Sequence, residues 1–149
     1  TALLPIFQIL GTDYSSCSMD SLYIKGSKSF DLFTKVNFSY SNAVATMKIG
    51  KGVKSEGDLV VSGTKGYVYV PAPWWKTDYF EIRFENQENN KRYFYQLDGE
   101  GIRYELLAFI KSIGKNRNYS YVGHTITEAI AQIIEQFDTK RNVREIGLA

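Results

Sequence analysis

Apolar and polar positions fall into three successive regimes along the chain. Leu3 to Leu10 is apolar almost all the way round (Leu3, Leu4, Ile6, Phe7, Ile9, Leu10) and stops at Gly11. Glycine closes helices readily because it accepts the left-handed conformation, so a short helix is predicted here. Pro5 falls in the first turn, where a missing N–H costs nothing. A helix apolar on every side asks for cover on every side, and preceding chain is expected to supply part of it.

From Ser16 to Leu97 the period changes to two. Phe30, Leu32, Thr34, Val36, Phe38 and Tyr40 alternate with mostly polar neighbours, the mark of a long half-buried strand. Ser41-Asn42 reads as a hairpin turn into Ala43 to Ile49. The Gly- and Lys-rich stretch Gly50 to Gly57 predicts an exposed loop. Asp58 to Ser62 and Gly66 to Val70 read as short strands about the turn Gly63-Thr64-Lys65-Gly66. Pro71-Ala72-Pro73 ends the second of them, and Trp74-Trp75-Lys76 follows on a loop or single helical turn. Phe80, Ile82 and Phe84 mark another strand, and the polar residues Asn86 to Asn90 turn the chain into a last one over Arg92 to Leu97.

The third regime is helical. Ile102, Leu106, Phe109, Ile110 and Ile113 form one stripe, with Gly114 as its stop. Ile126, Ile130, Ile133, Ile134 and Phe137 form a second, with Thr125 and Glu128 spaced as a capping box. Strands joined by short turns and followed by amphipathic helices predict an α+β domain. Its form is an open, mainly antiparallel sheet with helices on one face. The 149 residues are expected to form one domain, with Asp138 to Ala149 as a charged peripheral tail. Two helices and a short one cover one sheet face. The 11 Tyr and 9 Phe then imply a broad aromatic surface on the other, available for pairing with a second copy.

Composition narrows the function classes. A formal charge of +2 is too small for the electrostatic footprint of a nucleic-acid binder. Cys17 is alone, so no internal disulfide forms, which fits a reducing compartment and a cytoplasmic location. No apolar run approaches the ~18 residues that span a membrane, and no membrane partner is expected. Asn37-Phe38-Ser39 and Asn118-Tyr119-Ser120 match the glycosylation pattern but read as accidental without a secretory signal.

The search for catalytic chemistry returns little. There is one His, one Cys and no nucleophile elbow. His124 reads as a polar residue entering a helix, and no set of His, Cys or carboxylates is spaced for a metal. Gly50-Lys51-Gly52 and Gly99-Glu100-Gly101 each supply only the first half of a dinucleotide fingerprint, and neither opens a βαβ unit. Trp74 and Trp75 on a Pro-bounded loop could stack on a sugar or nicotinamide face, or plug a sheet or domain interface. Arg103 and Tyr104 could meet a carboxylate or hydroxyl, or lie exposed at a helix start.

The run from Gly57 through Ser62-Gly63-Thr64-Lys65-Gly66 to Val70, then Pro71-Ala72-Pro73-Trp74-Trp75-Lys76, resembles the C-terminal domain of a known oxidoreductase family. That family is the one of glucose–fructose oxidoreductase, inositol dehydrogenase and MocA. Asp98-Gly99-Glu100-Gly101-Ile102-Arg103-Tyr104-Glu105 resembles its Gly-Glu helix start, and Thr125 to Phe137 its closing helix. The resemblance runs from Leu3 to Phe137. It implies a preceding Rossmann domain holding NAD or NADP, with this chain completing a pocket for a sugar, cyclitol or related polyol and pairing through its open sheet. The family's catalytic Lys, Asp and His or Tyr have no counterpart here, and Leu3 to Leu10 resembles what directly follows the catalytic helix. The resemblance therefore assigns no catalytic and no cofactor-binding residue, and only a pocket-wall role for Trp74, Trp75, Lys76 and Arg103. A stand-alone carbohydrate-binding module and a pure dimerisation domain are the alternatives.

Overall fold

The structure, a computed structural model, describes residues 2–27, 30–99 and 101–146. In chain order its elements are α1 (Leu4–Leu10), β1 (Ser16–Ile24), β2 (Asp31–Ser39), β3 (Val44–Gly50), β4 (Leu59–Ser62), β5 (Gly66–Val70), β6 (Tyr79–Phe84), β7 (Lys91–Phe94), α2 (Ile102–Lys115), α3 (His124–Lys140) and β8 (Asn142–Ile146). A single 3-10 turn, Gln87–Asn89, lies between β6 and β7. The fold is α+β, as the pattern of periods predicts. The strands divide between two four-stranded sheets, ordered β3-β2-β1-β8 and β4-β5-β6-β7. The chain accordingly falls into two compact units, Thr1–Ser55 with Tyr121–Ala149, and Glu56–Ser120. The Gly- and Lys-rich stretch after β3 has no apolar alternation with which to continue pairing, so the meander is interrupted there.

In the first unit the alternation of β2 is realised residue by residue. Leu32, Thr34, Val36 and Phe38 are buried, while Lys35 points to solvent. Register places Met19 beside Val36 and Val36 beside Met47, giving a continuous apolar row across three strands. Onto this row pack Leu3 and Phe7 of the N-terminal segment and Ala129 and Ile133 of α3. Phe7 and Phe38 meet edge to face at 5.5 Å, and Tyr14 meets Phe38 at 5.2 Å. Burying side chains of this size stabilises a domain by about 1.5–3 kcal/mol each. The predicted first helix stops where expected, because Gly11 at φ 79° donates its N–H to Phe7 O. Its all-round apolar character is only partly buried: Phe7 is 1% exposed and Ile9 53%.

Below this row lies a polar pair. The Ser21 and Thr34 hydroxyls are 2.8 Å apart, and Thr34 donates to the Asp31 carboxylate at 2.8 Å, so both buried hydroxyls are satisfied. On the opposite face of the same sheet Ser18, Asn37 and Thr46 are linked by hydrogen bonds. Burial pushes the Cys17 thiol and the Tyr14 and Tyr40 phenols above their usual values.

Several predicted boundaries move. The last helix starts at His124 with Gly123 as its N-cap and no side-chain cap, so Thr125 already lies inside the first turn and the capping box does not form. His124 instead meets Glu128 one turn on at 3.1 Å, and both are exposed. Gly114 is an interior residue of α2. The left-handed stop is Asn116 at φ 47°, a role asparagine fills because its short amide tolerates that conformation. The strand expected over Arg92 to Leu97 ends at Phe94. The tail supplies β8, which pairs parallel with β1 at the sheet edge with every residue exposed. Its last residues, 147–149, lie outside the described residues. At the α3–β8 junction the Arg141 guanidinium lies over the rings of Phe137 and Tyr23 at 4.4 and 5.0 Å.

In the second unit β4, β5, β6 and β7 form an antiparallel ladder in strict register. The turn joining its first two strands is closed by Gly63 N–H donating to Gly66 O at 2.9 Å, as its glycines predict. Register sorts the side chains into an apolar face, with Val61, Val68, Ile82 and Phe80, and a face of Tyr67, Tyr69, Tyr79, Glu81, Arg83 and Arg92. No described residue of this unit is fully buried. The stripe of α2 was expected to face a sheet. It faces solvent instead, with Ile102, Leu106, Phe109, Ile110 and Ile113 each 55–67% exposed. Periodicity establishes that a helix has an apolar face, but which way that face points depends on partners that periodicity does not encode.

Candidate functional site

The candidate site is built on the segment between β5 and β6. Pro71 cannot donate to the ladder and ends β5, and the Ala72–Pro73 peptide is cis. Past it the chain is fastened at several points. Trp74 N–H donates to Gly57 O at 3.0 Å, Lys76 N–H to Pro73 O at 2.8 Å, and the Thr77 hydroxyl to Tyr79 O at 3.2 Å. The strand opposite is tied in by Tyr95 N–H donating to Asp78 O at 2.6 Å. Trp74 is half-buried and supports Trp75 edge-on, with ring centroids 5.9 Å apart and planes at 88°. This leaves the indole of Trp75 54% exposed on a fixed backbone.

Beside it is a cavity of about 540 Å³ lined by Pro71, Ala72, Trp75, Lys76, Thr77, Asp78, Tyr79, Gln96, Leu97 and Gly99. The volume is in the range of small-molecule sites, about 300–1,000 Å³, and the lining has the mixture such sites use: aromatic wall and a few polar groups. One cation, one carboxylate and one amide, on Lys76, Asp78 and Gln96, surround an aromatic plane. That combination suits a ligand with an apolar face and several hydroxyls.

Of the residues singled out by sequence, the structure brings Trp75 and Lys76 into this cavity. Trp74 acts behind Trp75. Arg103 does not line the cavity; its guanidinium donates to the Asp98 carboxylate, next to the cavity residue Gly99, and both side chains are exposed. Tyr104 also turns back to this loop, its hydroxyl accepting from Asp98 N–H at 3.0 Å. Sequence reasoning missed Asp78, Tyr79 and Gln96. Asp78 stands two residues after Lys76 and was reachable from it, whereas Gln96 arrives from a different strand.

A second cluster was not anticipated at all. On the polar face of this unit's sheet, Glu81 accepts from Arg83 Nε at 2.6 Å and from Arg92 Nε at 2.8 Å. Both guanidiniums also lie on tyrosine rings, Arg83 at 4.4 Å over Tyr69 and Arg92 at 4.8 Å over Tyr79. The hydrogen bonds from Arg92 and Arg83 hold the Glu81 carboxyl below its usual range. The Tyr67 hydroxyl and Glu81 hold Arg83 above its own. Arg83 stands two residues from Glu81 on β6, whereas Arg92 reaches Glu81 through cross-strand register, a long-range relation with no signature in local sequence.

Among the described residues, neither glycine pair is arranged as a dinucleotide-binding turn. An added Cβ on Gly52 would stand 2.2 Å from Leu32 Cδ2, and one on Gly50 2.6 Å from Val53 Cγ2. These glycines let a loop pack on β2 and cradle no phosphate. Gly99 and Gly101, at φ 82° and 91°, precede α2 beside the Asp98 carboxylate, which would repel phosphate. Glu100 of that motif lies outside the described residues. Among the described residues no group of three or more His, Cys, Asp or Glu could hold a metal ion, and no helix is long and apolar enough to cross a membrane.

No family model matches the chain, and no curated protein sequence matches it. Solved structures share its fold. The 3-ketoreductase KijD10 from Actinomadura kijaniata, in complex with TDP-benzene and NADP, aligns over 97% of this chain with a TM-score of 0.75 at 8% identity. An oxidoreductase from Agrobacterium radiobacter, in complex with NAD+, L-tartaric acid and magnesium, aligns over 93% with a TM-score of 0.66 at 11% identity. The Bacillus subtilis protein yvaA aligns over 87% with a TM-score of 0.60 at 12% identity. The chain spans less than half of each: 46% of the first and 44% of the other two. At these identities the likeness is one of fold.

Proposed function

We propose that this chain is the substrate-side half of an NAD(P)-dependent oxidoreductase acting on a sugar, cyclitol or related polyol. In this reading it is not catalytic alone. The observation that carries the reading is a fold match over 97% of this chain to 46% of a ketoreductase whose complex holds NADP. The motif resemblance to the glucose–fructose oxidoreductase, inositol dehydrogenase and MocA family supports the same division of labour. NAD or NADP then belongs to a Rossmann half outside this sequence, since the glycines here fit no phosphate cradle. The lone, half-buried Cys17 suits a cytoplasmic enzyme.

In this reading Trp75 offers its indole face to the apolar side of a sugar ring, and Trp74 fixes that plane. Lys76 donates to a ring hydroxyl, with Asp78 and Gln96 as further hydrogen-bonding walls. Arg103, held by Asp98, keeps the loop at Gly99 in place. Two copies pair through the sheet face of Tyr67, Tyr69, Tyr79 and Phe94, where Phe94 is 72% exposed. The test is steady-state kinetics of the full-length enzyme with a sugar and polyol panel. Trp75→Ala should raise KM about 10-fold or more with little change in kcat, the mark of lost binding common to ground and transition states. An unchanged KM would remove Trp75 from the site.

Because Trp75, Lys76, Asp78 and Gln96 of this chain line one cavity, a stand-alone carbohydrate-binding module is the second reading. It predicts sugar binding by the 149-residue chain itself, measured by calorimetry, and no oxidoreductase activity in the full-length protein.

A further inference from the structure

One wall of the cavity beside Trp75 is fastened at its ends. β7 stops at Phe94, and Gln96 and Leu97, both cavity residues, follow outside any strand or helix. Two hydrogen bonds bracket them. Tyr95 N–H donates to Asp78 O at 2.6 Å on one side, and Asp98 N–H donates to the Tyr104 hydroxyl at 3.0 Å on the other. The first tie comes from Asp78, another residue of the same cavity, and the second from the first turn of α2. The chain enters that turn by reversing through Gly99 at φ 82° and Gly101 at φ 91°, a left-handed region that other residues occupy at a cost. The reversal brings the half-buried Tyr104 back to Asp98. The Arg103–Asp98 ion pair adds a further tie at the same residue, but its side chains are 63% and 70% exposed and solvent screens it.

We propose that Tyr104 is a positioning residue for the substrate, its hydroxyl holding the Gln96–Leu97 segment so that the Gln96 amide stays in the cavity wall. The inference rests on the reading of this cavity as a sugar or polyol site. An amide donates to one hydroxyl and accepts from another, which suits such a ligand. A segment without ladder bonds moves unless its ends are fixed. A wall in place only part of the time weakens binding by that fraction, and fixing it beforehand removes the loss. Tyr104 does not itself line the cavity, so its effect on the ligand passes through this segment and belongs in KM, with kcat unmoved.

The experiment is steady-state kinetics of the full-length enzyme on D-glucose, D-galactose, myo-inositol and D-sorbitol with NAD+ or NADP+, with thermal melts as the folding control. Tyr104→Phe keeps the ring and removes the hydroxyl. It should raise KM about 3- to 10-fold, the effect of one hydrogen bond, and leave kcat unchanged. Gln96→Ala should raise KM by a similar factor. Tyr104→Phe added to Gln96→Ala should raise it less than about 2-fold further, because the wall being held no longer carries the amide. Trp75→Ala separates this inference from the reading beneath it. If Trp75→Ala raises KM and Tyr104→Phe does not, the cavity is the substrate site and the positioning role is overturned. A lowered melting midpoint with KM unchanged gives the hydroxyl a structural role only and also overturns it, as does full additivity of Tyr104→Phe with Gln96→Ala. If neither Trp75→Ala nor Tyr104→Phe moves KM, or none of these polyols is turned over, the site reading fails and the inference falls with it.

Discussion

Replacing Phe38 by Ala tests where the stability of this chain resides. Phe38 is 1% exposed near the end of β2, with Phe7 and Tyr14 edge-on to it at 5.5 and 5.2 Å. Truncation removes the ring and both aromatic contacts and leaves a cavity closed on one side by sheet and on the other by helix. Changes of this kind cost about 3–5 kcal/mol. Domains are stable by only about 5–15 kcal/mol in all, so the loss consumes a large part of the margin. For a unit of this size each kcal/mol moves the melting midpoint by roughly 4–8 °C, giving a fall of more than about 12 °C. Ile82→Ala is the control. It truncates the apolar face of β6 in the second unit, where no described residue is fully buried, and should cost about 1–2 kcal/mol. Urea melts followed by far-ultraviolet circular dichroism give both values. Tryptophan emission isolates the second unit, because Trp74 and Trp75 are the chain's two tryptophans and both lie there. A loss below about 1 kcal/mol for Phe38→Ala, or equal losses at the two sites, would refute the reasoning.

Two glycines should respond in opposite directions. Gly114 sits inside α2 with nothing within 4 Å of an added Cβ, so Gly114→Ala should raise stability by about 0.5–1 kcal/mol through helix propensity. Gly52→Ala drives a methyl against Leu32 and should lower it; thermal melts of both variants decide. At Glu81 the arginines depress the carboxyl pKa, so its contribution to stability is complete above the ordinary carboxylate range and is lost as pH falls through the depressed folded value. Glu81→Gln should flatten the acid limb of the tryptophan-detected stability curve, and an unchanged acid limb would show that the cluster is not formed in solution.

The elements written most plainly in the sequence were those whose determinants are local. The alternation of Leu32 to Phe38, the Ser41-Asn42 turn, the Gly63 to Gly66 turn and the Ile102 to Ile113 stripe all rest on spacings of a few residues, and all four recur in the structure. Helix ends were less legible, because Gly114 and Asn116 compete for one stop and the backbone of Gly123 pre-empts Thr125. What local pattern could not reveal was anything decided across strands. The split into two sheets, the parallel pairing of β8 with β1 and the approach of Arg92 to the Glu81–Arg83 pair all depend on register. The site shows the same division. Trp75 and Lys76 stood out as an unusual cluster on a Pro-bounded loop, whereas Gln96 becomes a neighbour only once β6 and β7 are paired.

The proposal that this chain is the substrate-side half of an oxidoreductase is tested most directly by determining the native coding sequence upstream of Thr1. The account predicts, in frame, a strand leading through G-x-G-x-x-G into a helix, then Glu-Lys-Pro, then a helix bearing Asp-x-x-x-His or Tyr just before Thr1. A start codon immediately ahead of Thr1, or an unrelated domain in that place, would contradict it and leave the cavity beside Trp75 as the site of a binding module.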